Sequence, residues 1–198
     1  MDNESEIICV IGRRGSGKTY LVKNHILPEL PRYIVFDQNN EFADMPNASR
    51  ADTLEDLEDF LEVGDNIIIP AKSDIGFEEL CFILNESVSN YYLVVDEFHM
   101  LYQNYQEFTS KYAQFKKIVL TGRHDSLGLV IITQRPSDLP PYLLSQCTIL
   151  YIFNVYLKKD LVSLSNIIND PENCQKLQNY EYYKYTLKSP LVIELKKT

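Results

Sequence analysis

The octapeptide Gly12-Arg13-Arg14-Gly15-Ser16-Gly17-Lys18-Thr19 constrains this chain more than any other segment. It fits G-x-x-x-x-G-K-[ST] in full, directly after the apolar run Ile7-Ile8-Cys9-Val10-Ile11. A helix is predicted from Gly17 to about Ile26, stopping before Pro28. Glycines at this spacing let consecutive backbone N–H groups turn inward around phosphate oxygens. A helix N-terminus at the same spot adds positive potential. Lys18 offers a mobile charge to β- and γ-phosphates, and Thr19 offers a hydroxyl to magnesium. Gly12, Arg13, Arg14, Gly15, Ser16, Gly17, Lys18 and Thr19 are therefore the candidate phosphate-binding residues, and ATP with Mg²⁺ is the expected ligand.

Apolar β-branched runs alternate with helical patterns along the rest of the chain, the signature of an α/β fold with a mostly parallel central sheet flanked by helices. Further strands are predicted at Tyr33–Phe36, Asn66–Ile69, Tyr91–Val95, Leu129–Thr133 and Thr148–Phe153. Helices are predicted at Thr53–Leu61, Phe77–Val88, about Tyr105–Leu120 and Lys158–Ile168. The stretch between Phe36 and about Arg50 reads as a loop. The tail, Tyr182–Leu187 and Leu191–Leu195, reads as a C-terminal β-hairpin turned at Ser189-Pro190. With 198 residues, 45% hydrophobic and 24% charged, the whole chain is expected to form a single globular domain.

Two more strand ends carry chemistry. Tyr91-Tyr92-Leu93-Val94-Val95 runs into Asp96-Glu97, which puts two carboxylates at the carboxyl edge of the sheet. There Asp96 can serve Mg²⁺, and Glu97 can polarise an attacking water as general base. The bland alternative is that Asp-Glu caps the next segment. Leu129–Thr133 ends in Gln134-Arg135-Pro136, and a strand placed beside the phosphate-binding loop lets Gln134 sense the γ-phosphate or orient water.

Taken together, Asp96-Glu97, Gly122-Arg123-His124 and Ile132-Thr133-Gln134-Arg135-Pro136 resemble the FtsK/HerA superfamily, as does Asp37-Gln38-Asn39-Asn40-Glu41-Phe42 after the second strand. The resemblance spans about residues 7 to 155 and implies a RecA/FtsK-like P-loop NTPase. It makes Arg123 the trans arginine that reaches a neighbour's γ-phosphate, with Arg135 as the alternative finger or a sheet-edge contact. A bare core of this length is similar to the genome-packaging ATPases of tailless, membrane-containing icosahedral viruses. That similarity implies a homo-oligomeric ring, usually a hexamer, threading double-stranded DNA into a preformed capsid, with capsid or portal-vertex proteins as partners. The implied location is the host cytoplasm, with association to the virion.

Composition bounds these expectations. Net charge is −9, which excludes a protein that coats DNA with its whole surface but leaves room for a small basic pore. Lys111, Lys116 and Lys117, or Lys158 and Lys159, are candidate DNA contacts, though each group also fits a solvated face. No apolar run reaches the roughly 20 residues of a membrane span, and the acidic start lacks the pattern of a signal peptide. Cys9, Cys81, Cys147 and Cys174 show no C-x-x-C spacing and read as buried free thiols. Rival readings are a HerA-like helicase or conjugation-type pump, a filamentous-phage assembly ATPase, a P-loop kinase and a nucleotide switch without turnover. The kinase would need an Arg-rich lid, and none is visible in the sequence.

Overall fold

The computed structural model describes residues 5–101, 111–187 and 192–198, with backbone alone at 87 and 123. Among the described residues, nine strands form one sheet: β1 (Ile7–Ile11), β2 (Tyr33–Asp37), β3 (Ala48–Arg50), β4 (Asn66–Pro70), β5 (Tyr92–Val95), β6 (Gly128–Thr133), β7 (Ile149–Ile152), β8 (Glu181–Thr186) and β9 (Val192–Lys197). Their order is β3-β4-β2-β5-β6-β1-β7-β8-β9. The first seven in that order pair in parallel, while β8 runs antiparallel to β7, and β9 to β8. The central strands are buried on both faces, which explains their unbroken runs of Ile, Val and Leu.

Alternation along each strand divides the core in two. Cys9 and Ile11 point to one face with Leu93, Val95, Leu129 and Ile131; Ile8 and Val10 point to the other with Val94, Val130 and Ile132. The first face is covered by α2 (Leu54–Val63), α3 (Phe77–Ser87), α4 (Ala113–Thr121), α5 (Pro141–Gln146) and α6 (Lys158–Ser165). The second is covered by the helical run that opens with α1 (Lys18–Leu21), through Leu21, Val22, Ile26 and Leu27, together with Phe42. Helix α2 is fixed at both ends. Thr53 and Asp56 exchange side-chain-to-backbone bonds as a capping box, and Gly64 closes the helix at φ 82°.

The structure corrects several boundaries. After the α-helical turn Lys18–Leu21, the run widens into a π-helical segment, Val22–Ile26, and then tightens to 3₁₀ through Pro28 to Glu29. Proline lacks an N–H, yet it fits the start of that last turn, where no donor is required. The loop expected after Phe36 contains the three-residue strand β3, made by pairing with β4 and invisible to local propensity. Short α5 begins at a proline and was also not expected. Of the long helix expected to start near Tyr105, the described part is α4, and residues 102–110 lie outside the described residues, as does the hairpin turn at Ser189-Pro190. The two hairpin strands themselves form as expected. All four cysteines are buried free thiols, with Cys9 and Cys147 Sγ atoms 2.7 Å apart.

Phe115 of α4 is fully buried and contacts the rings of Phe77 and Phe98 at centroid distances of 5.4 and 5.2 Å. Phe115→Ala should cost about 3–5 kcal/mol of unfolding free energy. Phe82→Ala, at a half-exposed position of α3, should stay within about 0.5 kcal/mol. Denaturant titration of both variants checks the pair.

Candidate functional site

Parallel strands deliver their following loops to one edge, and the candidate residues collect there. Gly12 follows β1, Gln134 follows β6, Asp96 and Glu97 follow β5, Asp37 ends β2, and Asn154 follows β7. Strand β6 lies between β5 and β1. The carboxylates therefore end a strand one removed from the loop-bearing strand, and Thr133 and Gln134 fill the gap. Gly12 N–H donates to Thr133 O at 3.2 Å, and Arg13 N–H to Asn154 O at 3.1 Å, so the loop is tied to both neighbouring strands.

Two glycines in the loop answer a steric demand. A Cβ at Gly12 would stand 2.6 Å from Phe153 Cβ, and Gly17 sits at φ 110°, where a side chain would also meet the Tyr180 ring. Ser16 and Lys18 are buried, and Lys18 Nζ folds back to donate to Arg13 O at 3.2 Å. Burial lowers the Lys18 pKa, while Glu97, Asp96 and Glu41 pull it back up. Arg13 leans away from this centre. Its guanidinium donates to Asn179 Oδ1 at 2.8 Å and lies 5.4 Å from the Tyr156 ring centroid. Arg14 and Gly15 are exposed.

Opposite the loop, Asp96 is 1% exposed, and its Oδ2 has no hydrogen-bond partner. Burial, then the charges of Glu97, Glu41 and Asp37, push its pKa up to about 7, against the pull of Lys18. Glu97 adopts a left-handed backbone at φ 44°. Gln134 Nε2 donates to its Oε1 at 2.6 Å, and His99 Nδ1 lies 3.3 Å from its Oε2. Gln38 Nε2 donates to the carbonyls of Asp96 and Glu97, at 2.8 and 3.2 Å. Thr19 Oγ1 donates to Glu41 Oε2 at 2.6 Å, which leaves the hydroxyl's lone pairs free for a cation. Glu41 is presented by a tight turn: Asp37 accepts from the N–H groups of Glu41 and Phe42, both at 2.9 Å.

Sequence reasoning missed Gln38 and His99 and gave Glu41 no role beyond its turn. The D-x-x-x-E-F spacing was the available signal for Glu41; nothing local marks His99. Among the described residues, no three His, Cys, Asp or Glu side chains converge as a ready-made metal cage. Magnesium itself is commonly held by one or two protein oxygens plus phosphates. Asp96 Oδ2, which has no hydrogen-bond partner, and the Thr19 hydroxyl are the candidate oxygens for such an ion.

The two arginines separate. Arg123 lies on the 3₁₀ turn Gly122–Asp125 ahead of β6, at the amino edge of the sheet. The six residues of β6, roughly 20 Å at about 3.3 Å per residue, separate it from the loop edge. Arg135 is on the loop edge, with Nε 3.5 Å from the buried carboxylate of Asp160. Four of the five candidate DNA-contacting lysines engage neighbouring side chains: Lys117 with Glu86, Lys159 with Asp138, Lys116 over the Tyr142 ring and Lys111 over the Tyr112 ring.

No family model matches the sequence, and no curated protein matches it. Solved structures do. The chain is similar to the genome-packaging NTPase B204 of Sulfolobus turreted icosahedral virus 2 in complex with sulfate, at TM-score 0.80 and 25% identity, covering 98% of this chain and 97% of that one. The ATP-γS complex of the same NTPase gives TM-score 0.79 at 25% identity, covering 98% of each chain. VirB4 of Thermoanaerobacter pseudethanolicus gives TM-score 0.72 at 12% identity, covering 100% of this chain and 90% of that one, a likeness of fold alone. The chain has the fold of the FtsK/HerA-type P-loop ATPases. On this fold, the Gly12–Thr19 loop after β1 and the Asp96-Glu97 pair after β5 lie along the same edge of the sheet. No described helix is long and apolar enough to cross a membrane.

The raised Asp96 pKa has a consequence for stability. Below the unfolded value of 3.8, both states hold the proton and the group contributes nothing. Between 3.8 and about 7 the unfolded chain ionises first, so stability falls as pH rises, and above about 7 the full cost remains. Asp96→Asn should therefore stabilise the nucleotide-free protein at pH 8, by on the order of 1–4 kcal/mol, with the gain vanishing near pH 4. Thermal unfolding across that pH range measures it.

Proposed function

We propose that this chain hydrolyses ATP and couples the hydrolysis to movement of double-stranded DNA, as a ring-forming motor that packages a viral genome into a preformed capsid in the host cytoplasm. The observation that carries the ATPase reading is that a buried P-loop lysine and Glu97 stand on one sheet edge, with Gln134, which follows the strand between them, gripping the Glu97 carboxylate. The packaging reading is supported by likeness to a viral genome-packaging NTPase over 98% of this chain and 97% of that one.

In this mechanism the loop amides and Lys18 Nζ bind the phosphates, and the γ-phosphate faces Glu97. Thr19 Oγ1 and Asp96 Oδ2 would hold magnesium, which supplies charge neutralisation between the β- and γ-phosphates. Glu97 accepts a proton from the attacking water, and Gln134 orients that carboxylate through Oε1. Phosphoryl transfer asks mainly for positioning and preorganised charge, which a buried, water-poor edge provides. Arg123 acts on the neighbouring subunit. Its position across the sheet from its own loop supports action in trans and disfavours action in cis. Arg135 is better explained as the sheet-edge partner of Asp160.

Glu97→Gln should bind ATP while losing about 10²–10⁴-fold in turnover. Arg123→Ala should lower kcat by about 10³–10⁵-fold in the assembled ring without weakening ATP binding. Wild-type turnover per subunit should rise with protein concentration and with linear duplex DNA. Phosphate-release kinetics across a concentration series read all three. Phosphate transfer to an acceptor in place of water would support a kinase instead, and turnover independent of both concentration and DNA would overturn the motor.

A further inference from the structure

The sheet order fixes the polarity of a bound triphosphate. Glu97 follows β5, on one side of β1, so the γ-phosphate end must face that side. The nucleoside must then leave the loop toward the other side, where β7 and β8 lie. That exit is walled by aromatic side chains. Tyr20, the residue after Thr19, is 50% exposed, and Tyr180, just before β8, is 46% exposed. Their rings stand edge to face, with centroids 6.2 Å apart.

Tyr180 is fixed with unusual care for a half-exposed residue. Its N–H donates to Ser16 O at 2.8 Å, its carbonyl accepts from Thr198 N–H at 2.9 Å, and its backbone holds φ 68°. Its Cδ1 lies 2.8 Å from where a Gly17 side chain would begin, so the ring is seated against the loop backbone. A left-handed tyrosine is a local expense that a loop of free choice would place on Gly or Asn. Alongside, Arg13 ties the loop to Asn179 and Tyr156, steadying the same wall.

Given that Gly12–Thr19 holds a nucleoside triphosphate, we propose that Tyr180, backed by Tyr20, is the stacking surface for its nucleobase. Aromatic stacking accepts any base through its π face, so this surface contributes affinity for the nucleoside without hydrogen-bond selectivity.

Calorimetric titration with Mg·ATP and with magnesium tripolyphosphate, which has no base, tests this on the wild type, Tyr180→Asn, Tyr180→Phe and Tyr20→Ala. Asparagine tolerates the left-handed backbone, so Tyr180→Asn removes the ring with little strain. Tyr180→Asn should weaken ATP binding by about 10-fold and leave tripolyphosphate binding unchanged. Tyr180→Phe should keep wild-type ATP affinity, and Tyr20→Ala should weaken ATP selectively and by less. If Tyr180→Asn weakens both ligands equally, or neither, or if the wild type binds tripolyphosphate as tightly as ATP, the stacking surface is wrong while the phosphate loop stands. If the wild type binds neither ligand, the phosphate loop itself is wrong, and the stacking surface falls with it.

Discussion

Parallel strand pairing is the constraint on which the site depends. Seven strands run the same way, so the residues after β1, β2, β5, β6 and β7 meet along a single edge although they lie far apart in sequence. The pairing is held by a core buried on both faces, with Val10, Val94, Val130 and Ile132 on one side and Ile11, Val95 and Ile131 on the other. Because side chains alternate, slipping one strand by a residue would exchange its faces and move its terminal polar group off the edge. The positions of Asp96, Gln134 and Gly12 thus rest on the apolar packing of the strands that lead into them.

Burial at that edge creates an electrostatic tension. Lys18 and Asp96 are both nearly sealed from solvent, and each is shifted toward its neutral form by that burial. Glu97, Glu41 and Asp37 add negative charge around Asp96, with Lys18 pulling the other way. A phosphate chain accompanied by a divalent cation would satisfy both partners at once, bringing acceptors to the lysine and the loop amides and a positive charge to the carboxylates.

Much of the fold was legible because buried parallel strands write themselves as unbroken apolar runs. All five strands predicted after the first, and both hairpin strands, form within about two residues of their expected ends. The elements missed were those that tertiary pairing creates. Strand β3 has only Ala48, Ser49 and Arg50, and exists because β4 offers an edge. The helix after the phosphate loop could not be foreseen to widen at Val22, since no residue there breaks helical periodicity. Within the site, Lys18, Thr19, Asp96, Glu97 and Gln134 stood out as polar residues closing apolar strands or following glycines. His99 and Tyr180 did not, because their importance comes from what the strand order brings beside them: the Glu97 carboxylate for one, the Gly17 backbone for the other.

The central claim is that the Gly12–Thr19 loop and Asp96 hold one magnesium-bound triphosphate between them. Equilibrium binding of ATP, measured with magnesium and with the metal chelated, tests it most directly in the wild type and in Asp96→Asn. The account predicts that magnesium tightens wild-type binding and that Asp96→Asn loses this gain while keeping its metal-free affinity. A magnesium gain of equal size in both proteins, or no ATP binding at all, would contradict it.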